Sequence, residues 1–232
     1  MSKHLEREMD AINRRLLALF AIVEQMIDQA VQALCEQRFE IVDQLLVTDK
    51  RVNDMEVEIE EECLKILALH QPVATDLRHL TTVLKINVEL ERMADLACNI
   101  AERAQSLQPF PFFPSPQRFT EMVEQATAMV KMALDSLIGS DVDLAKQVIL
   151  HDRAVDENNR LVIEELKDLM KQDADLIEPA LHCFSASRHI ERIADLAENI
   201  AEDVIYLVDG EIVRHQHGVF NQELNGWPNL QS

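Results

Sequence analysis

Apolar and polar residues alternate along this chain with the period of an α-helix. Apolar side chains recur three and four residues apart in long stretches, for example at Leu90, Ala94, Ala97 and Ala101, and this spacing places them on one face of a helix. The residues between them are mostly Ala, Leu, Glu, Lys, Arg, Gln and Met, which favour helices. Only four glycines occur, the first being Gly139, so the usual turns between β-strands are largely missing. The pattern predicts an all-α protein.

The helical pattern is interrupted at five places, which divide the chain into six predicted helices. The interruptions fall at 36–39, 70–72, 109–116, 138–141 and 171–175. Most of the intervening helices span roughly 25 to 35 residues, or about 40 to 50 Å at 1.5 Å per residue. Helices of this length need neighbours along much of their surface, and a helical bundle provides them.

An internal repeat relates the two halves of the chain. Residues 91–102 and 191–202 are identical except at their third and eighth positions, and a weaker match relates 49–54 to 152–157. We therefore predict two tandem three-helix bundles related by pseudo-twofold symmetry. The predicted boundaries are a first bundle at 4–108, a proline-rich linker at 109–116, a second bundle at 117–213 and a flexible tail at 214–232.

Composition and charge exclude several classes of protein. Apolar residues make up 47% of the chain and charged residues 28%, which indicates a folded chain. The net charge of -20 repels nucleic acid. The longest apolar runs, such as 16–23, are shorter than a membrane span, and the charged start does not resemble a secretory signal. We expect a cytoplasmic protein without a membrane span, whose cysteines, Cys35, Cys63, Cys98 and Cys183, are buried and reduced.

Acidic residues form a second face on each of the two repeated helices. At 100° per residue, Glu91, Asp95, Asn99 and Glu102 fall within an arc of about 80°, and their counterparts are Glu191, Asp195, Asn199 and Glu202. The small residues Ala94, Ala97 and Ala101, with Ala194, Ala197 and Ala201 in the second repeat, face nearly the opposite way. We expect the alanines to pack inside the bundle and the acidic face to point outward.

Oxygen-bearing side chains also share one face of each preceding helix, at Asp49, Asn53 and Glu56 and at Asp152, Asp156 and Asn159. If antiparallel neighbours bring these faces together, each half has a site for a hard or intermediate cation. The candidate metal ligands are Asp49, Asn53, Glu56, Glu91, Asp95 and Asn99 in the first half, and Asp152, Asp156, Glu191, Asp195 and Asn199 in the second. The alternative is a solvated acidic face with Arg92 and Arg192 as ion-pair partners.

No recognisable catalytic machinery accompanies these residues. The chain has no Glu-x-x-His pair of the kind found in ferritin-like di-iron sites, no glycine-rich phosphate loop and no nucleophile elbow. The sequence therefore predicts a protein that is not an enzyme. A di-metal carboxylate enzyme and a metal-storage bundle stay open as alternatives.

Four segments of the chain resemble the PhoU family of bacterial phosphate-signalling regulators, and the resemblance extends over nearly all of residues 5–213. The segments are 49–57, 71–78, 89–95 and 187–195. The resemblance implies two three-helix bundles with multinuclear iron or zinc clusters, or other divalent metals such as magnesium or manganese, on their surface. It assigns Asp49, Glu91 and Asp95 to one site, and Asp152, Asp156, Glu191 and Asp195 to the other.

The resemblance also implies a function and partners. It implies a negative regulator of the phosphate-starvation response that connects the ATPase subunit of the phosphate ABC transporter to a membrane-bound sensor histidine kinase. Homodimerisation stays open. Charge reversal at Arg78 is expected to weaken partner binding without unfolding the chain.

Asn53 stands where the second half has Asp156, so the first site carries less negative charge. Ala94 and Ala194 stand where the family commonly has glycine.

Overall fold

The computed structural model describes residues 3–110, 113 and 116–213, and within these residues it contains six α-helices and no β-strand. The helices are α1 (Lys3–Cys35), α2 (Val42–His70), α3 (Thr75–Leu107), α4 (Gln117–Gly139), α5 (Val142–Gln172) and α6 (Ile177–Asp209). Short 3-10 turns at Phe39–Ile41 and Ala174–Leu176 precede α2 and α6. The predicted all-α class is confirmed, and each predicted interruption coincides with a break between helices.

Local chemistry explains where several helices end. Gln71 and Ser140 close α2 and α4 in the left-handed conformation, with φ of 46° and 49°. At the end of α6 the left-handed residue is Gly210, with φ of 78°. Glycine has no side chain to clash with the backbone in this conformation, so it is the usual residue here. The side chain of Asp141 accepts a hydrogen bond of 3.0 Å from the amide of Leu144 and caps α5. Helix α4, with 23 residues, is shorter than the predicted range.

The six helices form two three-helix units. We call α1 to α3 the first lobe and α4 to α6 the second lobe. The lobes meet through contacts of α3 with α6 and of α1 with α4, whereas among the described residues α2 and α5 each pack only within their own lobe. This arrangement matches the predicted pseudo-twofold relation, because equivalent helices occupy equivalent places. Helices α2 and α5 lie on the outside, and each has one face exposed to solvent.

One apolar core extends through both lobes and draws on all six helices. Its largest fully buried side chains include Phe20, Leu45, Leu90 and Met93. The small residues predicted to pack inside are completely buried, namely Ala94, Ala97, Ala101, Ala194, Ala197 and Ala201. Because an alanine methyl occupies little space, neighbouring helices can approach closely at these positions.

Helix α1 would pass as a membrane span by length and hydropathy alone, a property that a search for uninterrupted apolar runs does not reveal. In the structure it packs against α2, α3 and α4. Residues along its whole length, from Leu5 to Ala33, are buried in the core. Helix α1 is therefore a central helix of the bundle.

Three expectations concern segments between and beyond the helices. Residues 111–112 and 114–115 of the predicted linker, and the predicted tail from 214 onward, lie outside the described residues. Among the described linker residues, Phe113 packs on the core and Pro116 is buried at the start of α4. The exact limits of the two bundles stay a prediction. The expectation that all cysteines are buried is confirmed for Cys63 and Cys183. It is wrong for Cys35, which is exposed at the end of α1, and Cys98 is only half-buried.

The alanine positions give a direct test of the packing. Replacement of Ala194 by Leu adds bulk where no space is left, so we expect the free energy of unfolding to fall by about 1–3 kcal/mol. Urea unfolding followed by circular dichroism measures the change. Ala18→Leu, at an exposed position of α1, is the control and should change stability by less than about 0.5 kcal/mol. Equal stability of the two variants would contradict the packing described here.

Candidate metal centres

Helix packing brings three carboxylates of the second lobe together. Asp152 and Asp156 lie one turn apart on α5, and Asp195 lies on the neighbouring helix α6. One oxygen atom from each of the three lies within 4.8 Å of the others. The predicted meeting of the two acidic faces therefore occurs in the second lobe.

Two further carboxylates surround this group. Burial, followed by repulsion from Asp156, Asp195 and Glu191, raises the pKa of Asp152 to about 7. Burial, followed by repulsion from Asp152 and other neighbouring carboxylates, raises the pKa of Glu198 to about 8. The pKa values of Glu191 and Asp195 are raised as well, again first by burial. We call Asp152, Asp156, Glu191, Asp195 and Glu198 the second acidic cluster.

An equivalent cluster forms in the first lobe between α2 and α3. Burial and then Asp95 raise the pKa of Asp49, while burial followed by Asp95, Glu56 and Asp49 raises the pKa of Glu91. We call Asp49, Glu56, Glu91 and Asp95 the first acidic cluster. Asn53 donates a hydrogen bond of 3.4 Å to Oδ2 of Asp49 and is exposed. Its amide therefore contributes no charge where the second lobe has a carboxylate.

Glu56 has a second set of contacts within the first lobe. The side-chain amide of Asn87, which is fully buried on α3, donates to the backbone carbonyl of Glu56 at 2.8 Å and to its carboxylate at 3.4 Å. This bridge joins α2 to α3 beside the cluster. Burial, followed by repulsion from Glu60, raises the pKa of Glu56.

Several oxygen atoms of the two clusters are buried without a hydrogen-bond partner among the described residues. They are Oδ1 of Asp49, Oδ1 of Asp152 and Oε2 of Glu191. A buried oxygen without a donor is costly, and a cation supplies the missing positive charge. The donor set is entirely oxygen, which suits hard cations. The residues present therefore fit a metal ion.

Arginine contacts neutralise these clusters only in part. Arg188 donates a hydrogen bond of 2.7 Å to Oε1 of Glu191, while the other oxygen of Glu191 is the partnerless one. In the first lobe Arg92 approaches Glu89 at 3.7 Å. The arginine that pairs with Glu191 is thus Arg188 on the preceding turn, and not Arg192 as the alternative interpretation expects.

Two of the predicted ligands face a shared cleft. Asn99 and Asn199 line a cleft between α3 and α6, together with the pairs Arg92 and Arg192, Asp95 and Asp195, and Leu96 and Leu196. Each pair consists of equivalent positions in the two repeats, so the pseudo-twofold axis passes through this cleft. Asp95 and Asp195 therefore belong both to the acidic clusters and to the cleft that separates them.

Sequence reasoning missed some participants and misplaced others. Glu198 is not among the ligands predicted from the sequence, although it lies seven residues after Glu191 and so on the same helix face. The sequence does contain a signal for it, because Glu198 and Cys98 occupy one of the two positions at which the repeats differ. Asn159, which shares a face of α5 with Asp152 and Asp156, is buried. Glu202, expected on the outward acidic face, is buried beside Lys85 near the end of α6.

Arg78 lies at the junction of the two lobes. Its guanidinium carbon is 5.9 Å from the centre of the Tyr206 ring, and its Nε atom is buried. A side chain at Gly210 would collide with this guanidinium. The expectation that Arg78 can be changed without affecting the fold is therefore weakened, because the residue is half-buried in this packing. Its role in partner binding stays a prediction.

Each lobe matches a known protein domain. The PhoU domain matches residues 16–104 and 119–204, one match in each lobe. The chain belongs to the PhoU family. Over 218 residues it is 38% identical to the "Phosphate-specific transport system accessory protein PhoU homolog" of Pseudomonas aeruginosa, covering 93% of this chain and 89% of that relative. The protein of the same name from Aquifex aeolicus is 39% identical over 213 residues, covering 92% and 96%.

A solved structure of the PhoU family shares the fold. The crystal structure of PhoU from Pseudomonas aeruginosa matches this chain with a TM-score of 0.84 at 37% identity. The match covers 89% of this chain and 99% of the other. Two tandem three-helix bundles are thus the architecture of this chain and of a solved PhoU protein.

The raised pKa values predict how the metal-free chain responds to pH. In the folded state Asp152 and Glu198 hold their protons to pH values of about 7 and about 8, whereas unfolded carboxyls lose theirs near pH ~4. The native state therefore binds more protons in between, and the free energy of unfolding falls as pH rises from about 5 to about 8. Urea unfolding in the presence of a chelator measures this decline.

The double variant Asp152→Asn and Glu198→Gln should flatten this dependence and be the more stable protein at pH ~8, because the repulsion is removed. Asp135→Asn, which changes an exposed carboxylate of α4, is the matched control and should retain the wild-type slope. A wild-type slope in the double variant would show that the cluster does not govern the pH response.

Proposed function

We propose that this protein is a negative regulator of the phosphate-starvation response, acting as a metal-binding adaptor between the phosphate ABC transporter and its sensor histidine kinase. The observation that carries the proposal is the pair of acidic clusters on a fold whose relatives are named as accessory proteins of the phosphate-specific transport system. The proposed location is the cytoplasm, where a protein can contact the ATPase subunit of a transporter and the internal domains of a kinase.

The partnerless oxygens support metal binding in the clusters. In each cluster, carboxylates on two different helices repel one another, so a bound cation would remove the repulsion and join the helices. An all-oxygen donor set favours Mg²⁺ or Mn²⁺, and the family resemblance adds iron and zinc. The second cluster has carboxylates at Asp156 and Glu198 where the first lobe has Asn53 and Cys98. We therefore expect the second lobe to bind metal more tightly.

Titration of the metal-free chain with Mn²⁺, followed by electron paramagnetic resonance, tests this order of affinity. Asp195→Asn removes one of three carboxylates that meet within 4.8 Å, and the tighter binding should weaken by at least about tenfold. Asp95→Asn should affect only the weaker binding. Asp168→Asn, which changes an exposed carboxylate of α5, is the control. If all three variants bind Mn²⁺ alike, the assignment of tighter binding to the second cluster and weaker binding to the first is wrong.

An exposed apolar row on α6 supports an adaptor role. Ile177, Leu181 and Phe184 are spaced by four and three residues, so they line one face near the start of the helix, and all three are exposed. Apolar anchors at this spacing are the usual means by which a helix contacts a partner surface. The long helices thus provide a surface for protein contacts in addition to the acidic clusters.

A gene-deletion strain tests the regulatory role. Wild-type protein should restore repression of a phosphate-starvation reporter at high phosphate, and the kinase should co-purify with it. Phe184→Arg should reduce both co-purification and repression several-fold, because a charge in the apolar row opposes docking. Leu150→Arg on α5 is the matched control, since Leu150 is 37% exposed and Phe184 38%.

The outcome of the deletion also separates the alternatives. Repression that persists at high phosphate without the protein would overturn the regulatory proposal. A defect in iron or zinc handling that does not depend on phosphate would favour a metal-storage bundle. Restored repression by Leu150→Arg together with its loss in Phe184→Arg would identify the row on α6 as a contact surface.

A further inference from the structure

Two histidines and a glutamate meet at one end of the first lobe, away from the acidic clusters. Nε2 of His4 lies 3.2 Å from Oε1 of Glu8, and Nε2 of His70 lies 2.8 Å from Oε2 of the same carboxylate. The two imidazole rings approach edge to face, with centroids 5.7 Å apart. One ligand atom from each residue lies within 4.8 Å of the other two.

The fold brings this trio together from distant parts of the sequence. His4 and Glu8 are one turn apart near the start of α1, so they share a helix face. His70 is the last residue of α2, and the left-handed Gln71 ends the helix directly after it. Because α1 and α2 are antiparallel neighbours, the start of one helix lies beside the end of the other.

The surroundings of the trio are those of a site that is held in place but remains accessible. The side chains of Glu8 and His70 are 24% and 19% exposed, whereas that of His4 is 74% exposed. Glu8 and His70 are therefore positioned by the packing of α1 against α2. The side chain of His4 is mostly in contact with solvent, so the trio is accessible to ions from solution.

The chemistry of the three donors matches that of zinc sites. Two imidazole nitrogens and one carboxylate are the protein ligands of many zinc centres that keep a fourth position open. In a tetrahedral site with metal–ligand bonds of about 2.0–2.1 Å, neighbouring ligand atoms lie roughly 3.3 Å apart. The observed separations of 3.2 and 2.8 Å are close to that value.

We propose that His4, Glu8 and His70 form a binding site for Zn²⁺ or a similar borderline transition-metal ion, distinct from the acidic clusters. The nitrogen ligands set its preference apart from that of the oxygen-only clusters, since imidazole suits zinc, and magnesium and calcium prefer oxygen. Metal binding links the start of α1 to the end of α2 and stabilises the native state, because the unfolded chain does not hold the three ligands together.

The test uses the full chain with competing sites removed. Asp95→Asn and Asp195→Asn weaken the acidic clusters, and His215→Ala and His217→Ala remove the two histidines of the C-terminal segment. In this background the metal-free protein is titrated with Zn²⁺ by calorimetry. X-ray absorption at one equivalent of Zn²⁺ then reports whether imidazole nitrogens bind the ion.

We expect imidazole scattering in the background protein, and a loss of Zn²⁺ affinity of at least about tenfold on His4→Ala. His4 is mostly exposed, so its replacement should leave the fold intact, and circular dichroism verifies this. His151→Ala is the matched control and should retain full affinity, because His151 is exposed on α5 and belongs to no such trio within residues 3–110, 113 and 116–213. The proposal is overturned if His4→Ala and His151→Ala bind Zn²⁺ equally, or if the bound ion has oxygen ligands only.

Discussion

Repulsion between carboxylates that helix packing forces together is the constraint on which the properties of this protein depend. Asp152 and Asp156 on α5 meet Asp195 on α6 because the apolar faces of these helices fit together. The core supplies the free energy that holds the acidic residues close. Burial, followed by repulsion from the neighbouring carboxylates, raises the pKa of Asp152 to about 7. A proton or a cation would relieve this repulsion, so a metal bound as proposed would compete with protons for the same groups.

The fold was largely predictable because its signals are local. Helical periodicity, the shortage of glycine and the breaks at the proline and αL positions are properties of short segments, and the repeat of 91–102 in 191–202 indicates two similar lobes. The exposure of Cys35 and the burial of Glu202 were not predictable in this way. Each depends on which neighbouring helix covers the residue, and a helical wheel contains no information about neighbours.

The candidate sites, like the fold, were predictable from local spacing and not predictable where they depend on contacts between distant segments. The acidic faces follow from residues one turn apart, so sequence spacing sufficed to predict Asp152 with Asp156 and Glu191 with Asp195. The pairing of Glu191 with Arg188 depends on the rotamers of two side chains, and several arginines stand at suitable spacings. His70 and Glu8 are separated by 62 residues. No short motif contains both, and only the antiparallel packing of α1 and α2 brings them into contact.

Differences between the two repeats give the two acidic clusters different charges and different responses to pH. Burial, followed by the charge of Asp49, raises the pKa of the Cys98 thiol to about 12, so this residue is neutral near pH ~7 and adds no charge to the first lobe. At the equivalent position Glu198, with a pKa of about 8, changes its protonation close to neutrality. The second acidic cluster therefore combines more carboxylates with a stronger response to pH. A cation bound there would have to displace the protons of Asp152 and Glu198, so we expect binding to the second cluster to weaken as pH falls, although the fold that carries the two clusters is nearly symmetric.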